Sequence, residues 1–295
     1  MNNRIDDIQD DELRVIGGPS ANKDAGQPRK WLWKVLLAVM LAAVAIAIIW
    51  TRKSVSGNDP GVFDPFTVLE ATNIKKEKVE ALGNYADTSG KAYTEHLTMT
   101  INDIPLDIYI PHNAKPSLVI GAPDLYDENI VLVTQAADIR ADNGKINGAF
   151  VLAGKPMAWG LSKKGYVSII DDKITIGVAD NSPLFEEATE KGGCFFRQYP
   201  LVDNGVLVEN EPKGKAIRKA ICDRAGEIFV VKSVGLESFH DFAQALVDLQ
   251  VDNAVYLVGS YSFGYFRDKE GNFTQIYDRR NGGFKNENYI KWTIE

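Results

Sequence analysis

Cysteine and histidine are scarce, two and three residues in a chain of 295. Two cysteines exclude a disulfide-dense scaffold in which bridges stand in for a core. Cys194 and Cys222 could pair in an oxidising compartment, and their apolar and aromatic neighbours suit two buried thiols as well. His96, His112 and His240 lack ligand-type partners at short spacing, and no HExxH, CxxC or Asp-rich calcium loop occurs. No metal and no cofactor is therefore expected. Basic residues are outnumbered, 33 against 40 acids for a net charge of −7, and no basic patch is interleaved with aromatics, so nucleic acid is not an expected partner. A GxSxG nucleophile elbow is missing, as are internal repeats and low-complexity runs.

What stands out instead is Trp31–Trp50, WLWKVLLAVMLAAVAIAIIW, whose part from Val35 onward has no charge, proline or glycine. Twenty such residues suffice for one helix across a hydrocarbon core of roughly 30 Å. Tryptophans at both ends suit the interfaces, and Lys34 can snorkel to the near one. Lys23, Arg29, Lys30 and Lys34 precede the run and only Arg52 and Lys53 follow it closely, which orients the N-terminus to the cytoplasm. A cleaved signal peptide fits less well, because IAIIWTRKS has no small-x-small pattern. The expected organisation is a disordered cytoplasmic tail over 1–30, a transmembrane signal anchor over 31–50, a linker over 51–64 and one extracytoplasmic domain over 65–295. On this reading the chain is a single-pass membrane protein with its C-terminal domain periplasmic or extracellular.

Within the domain the pattern is strand-rich. Leu106–Ile110, Ser117–Ile120, Ile130–Thr134, Tyr166–Ile170, Lys173–Val178, Val206–Val208 and Ile228–Val231 read as strands, with Asp171-Asp172 as a hairpin turn. Residues 67–81 permit a helix of poor periodicity. A better helix follows Ser238, a candidate N-cap with Asp241 at the capping-box position, and carries Phe239, Phe242, Leu246 and Leu249 at three- and four-residue spacing. It connects Ile228–Val231 to Ala254–Val258, a strand–helix–strand unit expected to set two buried strands side by side. The fold class expected is α+β, a strand-rich mixed-sheet domain with few packed helices, preceded by the single transmembrane helix.

Several segments carry residues with chemical potential. Lys145–Gly160 combines Asn147-Gly148, the apolar Phe150-Val151, a Gly-Lys-Pro turn and Trp159-Gly160. Phe195–Gly205 brings Arg197 ahead of an Asp-Asn-Gly turn. Lys215–Cys222 holds Arg218, which in a strand faces opposite to Ile217 and Lys219. Gly259-Ser260-Tyr261-Ser262 follows a buried strand and offers backbone N–H and hydroxyl groups to a sugar or phosphate, or is simply a turn. Asn281-Gly282-Gly283 reads as a turn.

Together these blocks resemble the phosphodiester glycosidase domain family, that of the mannose 6-phosphate uncovering enzyme's catalytic domain, with bacterial members associated with exopolysaccharides. Asn147–Val151 and Pro156–Gly160 are similar to its Asn-Gly-x-Phe-Phe and Pro-x-Gly blocks, Tyr199–Gly205 to its Gly-Pro-x-Leu block, and Arg218 to its arginine-bearing strand. Asn253–Ser262 is similar to its Asn-Ala-x-x-Leu-Asp-Gly-Gly-Gly-Ser block. The resemblance spans about residues 100–270. Val258 stands where the family has aspartate, Ser260 and Tyr261 replace two glycines, and Val151 replaces the second phenylalanine.

The resemblance implies a membrane-anchored glycosidase-like hydrolase acting on a sugar phosphodiester or envelope glycan. The loss of the aspartate keeps open the alternative of a non-catalytic glycan-binding or structural envelope protein. The implied partner is a carbohydrate or sugar phosphate. Asn147, Gly148, Arg197, Arg218, Gly259, Ser260 and Ser262 are the candidate ligand-binding residues. Asp138, Asp180 and Asp203 are unranked candidate carboxylates for catalysis.

Overall fold

The computed structural model describes Leu82, residues 90–260, 262–277 and 286–294. In chain order these hold β1 (Tyr93–Ile101), β2 (Ile104–His112), β3 (Lys115–Ile120), β4 (Ile130–Gln135), β5 (Ala149–Leu152), β6 (Lys155–Trp159), β7 (Gly165–Ile170) and β8 (Lys173–Val178). A short helix α1 (Leu184–Glu190) precedes β9 (Cys194–Gln198), β10 (Pro200–Asp203), β11 (Val206–Leu207), β12 (Ala216–Arg224) and β13 (Glu227–Glu237). Then come α2 (Phe239–Asp248), β14 (Asn253–Leu257), β15 (Gly264–Arg267), β16 (Phe273–Tyr277) and β17 (Asn288–Thr293). They belong to one compact unit, 73–295.

Three sheets result, in the orders β1-β2-β13-β12-β14-β10-β11, β16-β15-β4-β17-β3 and β6-β5-β9-β7-β8. Every ladder between these strands is antiparallel, so the expected mixed sheet gives way to three antiparallel ones. Five hairpins close through two residues with positive φ, at Asn102-Asp103, Ala153-Gly154, Asp171-Asp172, Asn204-Gly205 and Ala225-Gly226. That conformation matches the right-handed strand twist and forces tight antiparallel neighbours.

The strand–helix–strand unit is present, with one correction. β13 and β14 are separated by β12, to which both pair antiparallel. The tight Ala225-Gly226 turn folds β12 onto β13, β2 takes the other edge of β13, and β14 is left the free edge of β12. α2 begins as its sequence suggests: the Ser238 hydroxyl accepts from the Asp241 N–H at 3.0 Å. Its apolar face, Phe239, Phe242, Ala243 and Leu246, covers one face of the seven-stranded sheet together with Leu106, Ile108, Phe229 and Val231. The sheet's other face meets the two five-stranded sheets in the largest core, through Tyr109, Ile221, Val230, Val255 and Leu257 against Val131, Phe150, Val167, Phe196 and Trp292. α1 seals the outer face of the third sheet with Ala188 against Phe195 and Val151.

The expected transmembrane helix is not found. Among the described residues no helix is long and apolar enough to cross a membrane. The segment 31–50 itself lies outside them, as do 67–81 and Asn281-Gly282-Gly283. The membrane anchor, the membrane as partner and the single-pass topology therefore have no structural support and play no part in the functional reading.

One turn yields a stability test. Ala225 sits at φ +54°, a conformation that costs an alanine about 1 kcal/mol and an asparagine less. Ala225→Asn should raise the stability by less than about 1 kcal/mol, and Ala225→Val should lower it; urea midpoints at constant slope would show both.

Candidate functional site

Backbone contacts at the end of β14 assemble the site. The Val258 N–H donates to the Ala136 carbonyl at 3.3 Å, which brings the segment after β4 against the segment after β14. Asn288, fully buried, fixes that segment: its Oδ1 accepts from Ala137 N–H at 2.7 Å and its Nδ2 donates to Ala137 O at 3.2 Å. Asp138 follows directly. Its carbonyl accepts from Asn147 N–H at 2.9 Å, and its carboxylate meets the Lys163 ammonium at 2.5 Å. Lys163 also donates to Gln198 Oε1 at 2.7 Å and lies 4.4 Å from the Tyr199 ring centroid. The Nε2 of Gln198, a fully buried residue, has no hydrogen-bond partner among the described residues. A buried donor left in this condition is costly unless something outside the chain accepts from it.

Tyr199, Phe239 and Tyr256 form an aromatic floor, with centroids 5.3 Å (Tyr199–Phe239) and 5.0 Å (Phe239–Tyr256) apart. The Arg218 guanidinium lies over Phe239 at 4.0 Å. Its Nε donates to the Glu237 carbonyl at 2.8 Å and its Nη2 to the Gly214 carbonyl. Arg218 is buried and, among the described residues, has no carboxylate partner. A cation held by neutral carbonyls and aromatic rings retains its attraction for an anion.

The Tyr256 hydroxyl joins the two halves. It accepts from Gly259 N–H at 3.2 Å. Burial first, and then the charge of Asp138, push its ionisation above the ordinary tyrosine value, against the opposing pull of Gly259 and Arg218. It is thus a protonated donor with a cation and a carboxylate nearby. Gly259 can be nothing but glycine here, since a Cβ would lie 2.1 Å from the Ile217 carbonyl oxygen.

The sequence candidates divide accordingly. Asp138, Asn147, Arg218 and Gly259 come together, with Asn147 Oδ1 accepting from Ser162 Oγ at 3.2 Å. Gly148, at φ +97°, lets the Arg197 side chain pass where a Cβ would approach within 3.1 Å. Arg197 is buried and committed to the fold: it donates to the Lys163 and Ala179 carbonyls and to that of Asp180, each at 3.0 Å. Ser260 Oγ accepts from Ile217 N–H at 3.1 Å, and Ser262 is buried between Lys219 and the Gly259 carbonyl. Asp180 is exposed and paired with Lys164 at 2.8 Å. Asp203 ends β10 beside the start of β14, a strand length of roughly 17 Å from Gly259. Cys194 and Cys222 are free buried thiols in different sheets, so of the two readings the disulfide falls.

Lys163, Gln198, Tyr199, Tyr256 and Asn288 escaped sequence reasoning. Gln198-Tyr199 directly follows the noted Arg197, and Tyr256 lies within the block that carries the resemblance. Asn288 had no signal at all. Among the described residues no group of three His, Cys, Asp or Glu could hold a metal ion.

No family profile matches the chain, and no curated protein matches it. Solved structures do. A hypothetical protein from Synechocystis superimposes with a TM-score of 0.52 at 14% identity, over 68% of this chain and 62% of that one. This chain thus spans under two thirds of that protein, and the likeness is one of fold. The catalytic domain of zebrafish N-acetylglucosamine-1-phosphodiester alpha-N-acetylglucosaminidase, auto-inhibited by its pro-peptide, is a more distant similarity: TM-score 0.49 and 12% identity, over 70% of this chain and 83% of that one.

Arg197 and Asn288 should prove to be structural supports. Arg197→Ala strands three carbonyls and should cost roughly 3–5 kcal/mol; Asn288→Ala, which frees both polar groups of Ala137, should cost roughly 2–3 kcal/mol. Thermal and urea unfolding would measure both.

Proposed function

We propose that this chain is a hydrolase of the phosphodiester-glycosidase type, which cleaves a sugar from a phosphate at the anomeric carbon. The observation that carries the reading is the Tyr256 hydroxyl, bonded by the Gly259 N–H at 3.2 Å and lying within the electrostatic reach of both Arg218 and Asp138. The sequence blocks that resemble the family add to it.

In this reading Arg218 holds the anionic phosphoryl group, and the unpartnered Nε2 of Gln198 supplies a further donor. Asp138, paired with the Lys163 ammonium at 2.5 Å, takes a proton from the attacking water. The oxygen of that water bonds to the anomeric carbon while the bond from that carbon to the phosphate oxygen breaks. The leaving group departs as a phosphate monoester, so it needs little protonation, and a hydrogen bond from Tyr256 is sufficient help. Asn147 serves the sugar hydroxyls. Trp159, two-thirds exposed beside Gly160, offers a flat apolar face to a sugar ring.

Val258 bears on the chemistry. It occupies the family's aspartate position, but its N–H bonds to Ala136, two residues before Asp138. A carboxylate from the neighbouring segment is thus available where the strand itself offers valine. One observation favours a second reading, a sugar-phosphate binding module: Asp138 is the single carboxylate of the constellation, and Lys163 already engages it.

The test is sugar release from a panel of sugar 1-phosphodiesters by the purified protein. Asp138→Asn should lower kcat by about 10²–10⁴-fold with KM little changed. Arg218→Ala should act mainly on KM, and Arg218→Lys should not restore it. Saturable binding across the panel without turnover would establish the binding module and reject the hydrolase.

A further inference from the structure

Next to Arg218 the chain buries a second cation. Lys219 is 1% exposed and lies on the opposite face of β12, in register with Leu257 of β14 and Lys232 of β13. Its Nζ donates to Ser262 Oγ at 2.8 Å, and that hydroxyl donates to the Gly259 carbonyl at 2.7 Å. The N–H of Gly259 is the group that donates to Tyr256. Two hydrogen bonds, the Gly259 backbone and a third hydrogen bond therefore connect a buried amine on one face of the sheet to the site hydroxyl on the other.

Of the charged and titratable groups on Lys219's face, Lys232 stands opposite it on β13. Asp107 on β2 binds Lys232 at 2.7 Å and His96 of β1 at 3.1 Å. Tyr109 stacks on His96 at 4.9 Å. The Asp107 carboxylate is thus already shared, and Lys219 has a hydroxyl where an ammonium would call for an anion.

We infer that Lys219 is a positioning residue: through Ser262 it fixes the Gly259 carbonyl, and through the Gly259 backbone it fixes the N–H that holds the Tyr256 hydroxyl. Nothing else in the functional reading requires a lysine at this depth. Leucine or methionine would fill the space without the desolvation cost. The consequence for turnover rests on the role proposed for Tyr256, whereas the hydrogen-bonded path does not.

Burial first, and the neighbouring Lys232 second, lower the Lys219 ammonium from 10.5 to about 7. The sign follows. When the Gly259–Ser262 contact opens to water, Lys219 regains its ordinary affinity for a proton, so the open form binds protons more tightly than the closed one. Between about 7 and 10.5 the closed form gains on the open one as pH rises, by up to tenfold per unit. Below about 7 both forms are charged and the dependence ends.

The experiment measures amide hydrogen exchange at Gly259, corrected for the intrinsic pH dependence, in the substrate-free full chain from pH 6 to 9. Protection in the wild type should be level up to about 7 and then rise by up to tenfold per unit. In Lys219→Met the profile should be flat. Ser262→Ala, which removes the hydrogen bond to the Gly259 carbonyl and the one from Lys219, should lower protection at least about tenfold at pH 8. Turnover on the sugar-phosphodiester panel should fall in kcat rather than KM in both variants, and the kcat profile should lose its transition near 7 in Lys219→Met.

Wild-type protection that does not change across pH 7 to 9 would overturn the inference, with no variant needed. So would a Ser262→Ala protein with wild-type protection. A panel that gives no turnover while the exchange profile behaves as described would reject the hydrolase reading and leave the positioning role standing.

Discussion

Burial of two adjacent cations on opposite faces of one strand is the constraint around which this fold is organised. β12 is paired along both edges, so side-chain alternation sends Arg218 toward α2 and Lys219 into the space between sheets. Neither has a carboxylate of its own among the described residues. Each is satisfied by neutral oxygen atoms that only tertiary structure can bring: the Glu237 and Gly214 carbonyls for one, Ser262 for the other. The register shift between β12 and β13 belongs to this arrangement. The extra residues on β13 let Ser233 Oγ accept from Arg218 N–H at 2.8 Å, replacing a ladder bond. Charge burial of this kind costs stability, and proteins retain it where a site uses the charge.

The opposite half of the site is built by different means. Around Asp138 the fold relies on backbone capture: Asn288 holds Ala137 at both its polar groups, and Arg197 gathers three carbonyls beneath Gly148. These interactions are short, buried and insensitive to ordinary pH. One wall is therefore rigid through neutral or fully charged hydrogen bonds, while the other is held by a titrating amine.

The sequence made the local elements legible and left the long-range ones hidden. Ser238, Asp241 and the spacing of Phe239, Phe242 and Leu246 located α2, because capping and amphipathicity act within a few residues. Asp171-Asp172 and Lys173–Val178 were equally plain. The insertion of β12 between β13 and β14 was not, since edge choice depends on which neighbour is already occupied. Within the candidate site, Arg218 was proposed from its block, and Asp138 was one of three acids that sequence could not rank. What distinguishes Asp138 from the exposed Asp180 is its Lys163 partner, and from the remote Asp203 its end of β14; neither lies in any local pattern. Arg197 shows the converse, a residue with the right chemistry whose donors are consumed by carbonyls.

The two thiols carry a further implication. Cys194 belongs to the third sheet and Cys222 to the central strand of the first, both sealed from solvent, and burial raises the Cys222 thiol well above its ordinary value. No disulfide fastens the sheets to one another, so the folded state draws no stability from one. Each thiol becomes reactive only when its own sheet parts, because the thiolate rather than the thiol is the nucleophile. The molecule therefore carries two native clocks, and the rates at which alkylating reagents reach them would report separately how often each sheet opens.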